Sequence, residues 1–278
     1  MGALTSIFVG AWLIVWNRIG DSLREDSRFL LSAESVEITP PPAWIRTEIG
    51  REVFSGLRLT GPMSVLDPEL PQKVGEAFGG HPWVAAVKRV TVLAGPRLSV
   101  ELSYRKPVAM IDLAVRNRSI LFPVDGSGYS LPESDFTPAE KTQYLRIVGV
   151  ESPDGSPPPG ERWSDVRVLQ ATHIAKLFEN AVRKLDLDRV VPYRRTPGEY
   201  EYILCTRQGT CIEWGMPPGG EAPAELSAKD KVAKLLAYVE KHGSLEGPGG
   251  DPQIINVRFE LRTSPRTVGR SYLDDLLR

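Results

Sequence analysis

Between Val84 and Tyr104 the apolar and polar positions follow a strand pattern. A run rich in β-branched residues, from Val84 to Leu93, leads into a Gly95-Pro96 turn. Beyond the turn, Leu98, Val100, Leu102 and Tyr104 alternate with Arg97, Ser99, Glu101 and Ser103. Such a period of two predicts a half-buried strand, and two runs across a short turn predict a hairpin. Pro107 is expected to stop the second strand, because proline has no N–H to give a ladder. Upstream, Asp67-Pro68-Glu69 has the form of a helix start, with a capping carboxylate, Pro in the first turn and an acid after it. Leu70, Val74, Ala77 and Phe78 recur at helical spacing until Gly79-Gly80. Trp44, Ile45, Ile49, Val53 and Phe54 make an earlier helical stripe, and residues 35–39 a short strand. The predicted order is strand, helix, helix, strand, strand, with two helices on one face of a three-stranded sheet.

The second half is patterned as a longer alternation of strands and helices. Residues 119–124 predict a strand that ends in the turn Asp125-Gly126-Ser127-Gly128. Residues 144–150 predict another, and residues 151–160 a surface loop. Ser164 is placed to cap a helix whose apolar members run from Val166 through His173 and Phe178 to Leu185. Strands are predicted around residues 188–193, 199–205 and 210–214. Ser227 and Asp230 form a capping box opening a helix with Val232, Leu235, Leu236 and Val239 on one face, ended by His242-Gly243. Residues 253–261 form the last strong strand.

The N-terminus differs from both halves. Gly2 to Trp16 carries no charge. As a helix this run spans about 22 Å, short of the roughly 30 Å hydrocarbon core of a bilayer. Extension through Asn17, Arg18 and Ile19, with Arg18 snorkelling to the interface, reaches across a thin bilayer. A signal peptide fits less well, for want of a basic leader and an A-x-A site. A buried helix fits less well too, since one face would need to be polar. A single transmembrane anchor over residues 1–20 is the expectation.

Composition narrows the function more than it defines it. The 278 residues suit one or two domains, and 41% apolar with 25% charged content is globular. A net charge of −1 lacks the footprint of a nucleic-acid binder. No nucleophile elbow, zinc-protease helix or phosphate-binding glycine loop is present. His173 falls on a helical stripe and is expected to be a core or boundary histidine. His81 precedes Pro82 and shapes a corner, while His242 suits the end of a helix dipole. Asp125 is expected to bond its own turn. Trp83 offers either a recognition anchor or a core cap, and the buried role is favoured. No catalytic, cofactor-binding or metal residue is expected, and no small-molecule substrate.

Within this order of elements, Pro82-Trp83-Val84, Val90, Val92, Leu98-Ser99-Val100-Glu101-Leu102 and Arg105-Lys106-Pro107-Val108-Ala109 resemble the POTRA domain of the FtsQ/DivIB family of bacterial cell-division proteins. The second half is similar to that family in order. Val124-Asp125 stands at a family turn, and Leu145, Ile147 and Gly149 in a family strand where Arg146 replaces a proline. Ile212-Glu213-Trp214-Gly215 closes a hairpin, and Ile255-Asn256-Val257-Arg258 carries Asn for Asp. The resemblance covers nearly the whole chain. It implies an α+β fold: an N-terminal single transmembrane helix (1–20), a POTRA-like βααββ domain (29–108), then a mixed β domain with two flanking helices (109–262) and a C-terminal edge segment or tail (263–278). It also implies a non-enzymatic single-span scaffold of the inner (cytoplasmic) membrane at the division septum, with its bulk on the periplasmic or extracytoplasmic side. Its partners would be small coiled-coil proteins of the FtsB/DivIC and FtsL types, with other divisome membrane proteins. The alternative is a POTRA-bearing module for envelope protein assembly or secretion.

In that family the final strand is a sheet edge to which the FtsB-type partner adds a strand of its own. The resemblance places partner-binding residues at Ile255, Val257, Arg258 and Phe259 of the penultimate strand, and at Arg266, Val268, Arg270 and Tyr272 of the final one. A frayed tail is the bland alternative, given Pro265 and Gly269. Cys205 and Cys211 oppose each other if their hairpin is centred on Gln208, within reach of a cross-strand disulfide. The extracytoplasmic compartment implied by the resemblance would let such a bond persist. The alternative is a pair of small buried apolar residues.

Overall fold

A computed structural model describes residues 26–58, 63–115, 118–152, 155–196 and 198–266. Five α-helices and eleven strands in two sheets make up the described fold. The chain divides into two units after Arg105.

The first unit contains β1 (Val36–Ile38), α1 (Ile49–Arg58), α2 (Leu70–Gly79), β2 (Val84–Leu93) and β3 (Arg97–Tyr104). Its sheet has the order β1-β3-β2, with β1 parallel and β2 antiparallel to β3. Leu98, Val100 and Leu102 are buried while Arg97 and Glu101 are exposed, the alternation visible in the sequence. Ile49, Val53 and Phe54 of α1 and Leu70, Val74 and Phe78 of α2 are buried as well. The turn between β2 and β3 places Gly95 at φ 78, a conformation that suits glycine. Two helix starts lie later than the pattern suggested. Trp44 and Ile45 precede α1, where the Trp44 indole N–H donates to the Arg105 carbonyl at 3.2 Å. Pro68 and Glu69 form a turn before α2, held by the Glu69 N–H donating to Asp67 Oδ1 at 2.9 Å. At the corner ahead of β2, the Trp83 backbone N–H donates to His81 Nδ1 at 3.2 Å, and the Trp83 side chain is fully buried.

The second unit is built on one sheet of eight strands. In chain order its elements are β4 (Pro107–Val115), β5 (Arg118–Asp125), α3 (Pro138–Lys141), β6 (Leu145–Ile147), α4 (Val166–Leu177), β7 (Leu187–Thr196), β8 (Glu199–Thr206), β9 (Cys211–Gly215), α5 (Ala228–His242), β10 (Gln253–Asn256) and β11 (Arg262–Pro265). The spatial order is β11-β10-β9-β8-β7-β6-β4-β5. Pairs β10/β9, β4/β6 and β6/β7 are parallel, and the others are antiparallel. Apolar residues of α4, of the turns after it and of α5 share a core with Ile111, Ile147, Val190, Leu204, Ile212 and Ile255 from six of the strands.

Several expectations are corrected here. Pro107 opens β4 instead of merely closing β3, and β4 escaped the pattern reading. Ala109, Met110 and Ile111 are all fully buried, so this inner strand is apolar on both faces and has no alternation to detect. Asp165, not Ser164, caps α4, its Oδ1 accepting the Arg167 N–H at 2.8 Å. The helix ends at Leu177. Beyond it the backbone tightens into turns, with the N–H of Phe178 on the Ala175 carbonyl and that of Ala181 on the Phe178 carbonyl. Phe178, Ala181, Val182 and Leu185 remain buried, so the apolar stripe outlasts the helix. His173 is exposed, off the buried stripe. Partial desolvation, then the charges of Arg162 and Lys176, push its pKa below the usual histidine value. The last strong strand predicted over residues 253–261 is shorter: β10 ends at Asn256 and a bend follows.

The transmembrane expectation is corrected too. Residues 1–20, on which it rested, lie outside the described residues, and among the described residues no helix is long and apolar enough to cross a membrane. The longest described helix, α5, has 15 residues and interleaves Lys229, Asp230, Lys234 and Glu240 with its apolar positions. The described fold is therefore mixed α/β with no spanning helix. The inner-membrane, single-pass placement loses its basis with it.

Tyr202 supplies a test of the second core. Its side chain is fully buried, and its hydroxyl donates to Gln170 Oε1 at 2.8 Å. Burial pushes the phenol pKa far above its ordinary value of 10. In the unfolded chain that phenol loses its proton near pH 10, whereas in the folded chain it keeps it. The contribution of Tyr202 is thus complete below the unfolded pKa and is lost as pH rises above it, at about 1.4 kcal/mol per pH unit. Tyr202→Phe should cost about 1 kcal/mol near neutral pH for the lost hydrogen bond. Its urea midpoint should then decline less steeply than that of the parent chain on the alkaline side. Parallel alkaline slopes for the two proteins would show that Tyr202 ionises normally in the folded state.

Candidate partner-binding edge

Among the described residues the open sheet leaves two strands paired on one side only, and β11 is one of them. All four of its residues are exposed. It runs antiparallel to β10 with Ile254 opposite Ser264 and Asn256 opposite Arg262. The Arg266 N–H donates to the Pro252 carbonyl at 3.3 Å, which fixes the phase of the ladder. Backbone groups alternate in direction along an antiparallel strand. Arg262, Ser264 and Arg266 therefore turn theirs toward β10, while Thr263 and Pro265 turn theirs outward. Proline sits where the ladder asks for no N–H, the edge position that tolerates it.

The edge is fixed from beneath by a buried charge pair. Lys231 of α5 and Glu225 before it both have fully buried side chains, with Nζ 2.6 Å from Oε1. Lys231 Nζ also donates to the Trp214 carbonyl at 2.8 Å and lies 4.9 Å from the Trp214 ring centroid. Glu225 accepts in addition from the N–H groups of Met216 and Ala222, at 3.1 and 3.0 Å. These bonds tie the segment after β9 to the start of α5. The next residue, Leu226, donates its N–H to the Arg258 carbonyl at 2.6 Å, so the same segment holds the bend between β10 and β11. Gly215 stands at φ 85 in this crowd. A Cβ there would overlap the Glu225 carboxylate and lie 3.0 Å from Arg258 Cγ.

The residues expected to bind a partner fall into three groups. Ile255 and Val257 are fully buried in the helix-side core, so they hold the edge in place and present nothing outward. Arg258, Phe259 and Arg266 reach the surface in part or whole. Arg258 Nη2 meets the buried carboxylate of Glu201 at 3.0 Å, and its guanidinium lies 5.6 Å from the ring of Phe259, which is 51% exposed. Arg266 donates to the Gly209 carbonyl in the β8–β9 turn. Val268, Arg270 and Tyr272 lie outside the described residues. The described edge strand thus begins at Arg262, ahead of the stretch expected to form it.

Cys205 and Cys211 oppose each other across β8 and β9, with unbonded sulfurs 3.6 Å apart. Asp125 Oδ1 accepts from the N–H groups of Ser127 and Tyr129, at 2.8 and 2.9 Å, so it serves its own turn. Among the described residues no group of three or more His, Cys, Asp or Glu is placed to hold a metal ion. The pattern reading missed Lys231, although the signal was present. Ala228, Lys231, Leu235 and Val239 are the buried residues of α5 and share one helical stripe, so the lysine stood in an apolar row. Compared with known proteins, the chain matches no family model and no curated protein.

The pair makes a specific demand. Lys231→Met leaves the Glu225 carboxylate buried without its cation and should cost about 3–5 kcal/mol in denaturant unfolding. Adding Glu225→Gln should recover much of that loss, because the stranded charge is then gone. If the double variant is as unstable as the single one, packing of the lysine stem matters more than its charge.

Proposed function

We propose that the chain is a non-enzymatic scaffold of the bacterial division machinery, which captures small coiled-coil division proteins of the FtsB/DivIC type, and FtsL-type proteins with them, through the open edge at β11. The observation that carries the reading is a succession of elements. A βααββ unit with sheet order β1-β3-β2 precedes a mixed sheet whose last described strand is exposed along its whole length. It is this succession that the resemblance to FtsQ/DivIB leads one to look for. An unpaired edge presents N–H and C=O groups that an extended segment of a partner satisfies by adding a strand. Arg266, with its backbone groups turned inward, adds positive charge at the end of that edge and favours an acidic segment, while the Arg262 guanidinium is paired with Glu260 at 3.2 Å. The work done is binding, with orientation and register set by the backbone.

The test is a pull-down of the FtsB/DivIC-type protein of the same genome by the full chain, with Thr263→Pro beside the parent. Thr263 carries the outward N–H of the edge, and its loss spares the ladder to β10. Binding should weaken about tenfold or more, from one lost ladder bond and the local bend, while the circular dichroism spectrum stays unchanged. Equal binding by the two proteins would place the partner elsewhere. Capture of neither coiled-coil protein by the parent chain, with normal septation on depletion, would favour an envelope-assembly role.

A further inference from the structure

We propose that Cys205 and Cys211 form a reversible thiol–disulfide pair, which a disulfide-bearing oxidant closes into a covalent tie between β8 and β9. The register places the two residues directly opposite each other. The next pair toward the turn is joined by the Thr206 N–H on the Thr210 carbonyl at 2.9 Å. Alternation then makes Cys205 and Cys211 a non-hydrogen-bonded pair, the kind whose Cα atoms approach to about 4.5 Å. That spacing lies within the range that a disulfide spans. The sulfurs are 3.6 Å apart, so closing the bond asks for side-chain rotation and leaves the ladder in place.

The surroundings act on both sulfurs. Both lie in a small buried cluster with Val191 and Ile203, on the sheet face away from α4 and α5. The two thiols share a hydrogen bond, and Cys211 also donates to the Gly209 carbonyl at 3.7 Å. The contact with Cys205 holds the Cys211 thiol below its ordinary pKa. Burial opposes this, while the guanidinium groups of Arg266 and Arg189 add to it. The contact with Cys211, and burial after it, hold Cys205 above its own. Both sulfurs are fully buried in the folded chain, so the exchange takes place as the hairpin forms, while an oxidant still reaches one of them. In the first step the thiolate of one cysteine attacks an oxidant RSSR, forms a mixed disulfide and expels RS⁻. In the second, the other cysteine gives up its proton, attacks the protein sulfur of that mixed disulfide and expels the other RS⁻. Two protein thiols and one RSSR become one cross-strand bond and two RSH. Arg266, which continues from β11, bonds the same turn at Gly209, so the tie is made next to the open edge.

The full chain, unfolded and reduced, is refolded with oxidised glutathione, alkylated in denaturant and weighed by mass spectrometry. The expected product is monomeric, lighter by two hydrogen atoms, without alkylation and without a glutathione adduct. Dithiothreitol should return both thiols together. Cys205→Ser, with an unchanged circular dichroism spectrum beforehand to show that it folds, should give no monomer lighter by two hydrogen atoms. Two alkylated thiols after oxidative refolding, or dimers joined through sulfur, would overturn the proposal. So would two glutathione adducts on one parent chain, since the second step would then have failed.

Discussion

The second unit depends on what happens around Trp214. A broad sheet must bury one face, and among the described residues of this unit two long helices cover it. Both converge on the same indole. Phe178, at the end of α4, meets it edge-on with ring centroids 5.5 Å apart, and the ammonium group of Lys231 from α5 approaches its ring. A buried cation without a partner would be ruinous in that position. The Glu225 carboxylate and the Trp214 carbonyl make it tolerable, and in doing so they settle where α5 starts. The path from β9 to α5 is thus fixed by electrostatics inside an apolar layer. The bend leading to β11 inherits its position from that path.

The opposite face of the sheet is managed differently. Val191 and Ile203 are almost completely buried although they lie away from α4 and α5. Long polar side chains stand around this face. Arg146 lies between Asp112 and Asp188, with distances of 3.4 and 2.6 Å. Further along, Arg258 and Arg195 share the carboxylate of Glu201, which also accepts from the Tyr193 hydroxyl. Aliphatic stems of such residues shield small apolar neighbours while their charged ends stay wet or paired. A charged cover of this kind shields the face with side chains of the sheet itself.

How much of this was legible in the sequence varied with the physics of each element. Strands with one wet face were readable, because alternation is the direct imprint of half-burial; Leu98, Val100 and Leu102 are the clearest case. The opposition of Cys205 and Cys211 was readable as well, since the residues between them define the turn. Strand β4 was not, because burial on both faces erases the alternation that marks a strand. The end of α4 was hidden for a related reason: Phe178 to Leu185 keep their apolar spacing after the hydrogen bonds have changed. The edge was legible in kind but not in place, as Arg262 to Pro265 contains no apolar residue to mark it. Lys231 shows the limit most plainly. Its position in the stripe was visible, but its anion lies outside α5 and only the folded backbone brings them together.

Pro265 has a consequence for self-recognition. Along the outward side of β11 the groups run from Thr263, with one donor and one acceptor, to Pro265, with an acceptor alone. Two copies of this chain paired edge to edge about Pro265 would set two proline carbonyls opposite each other with no donor between them. A foreign strand with an N–H opposite Pro265 keeps one of that pair's two bonds. The missing hydrogen therefore acts as a sorting rule, penalising the pairing centred on two prolines more than a heterotypic one.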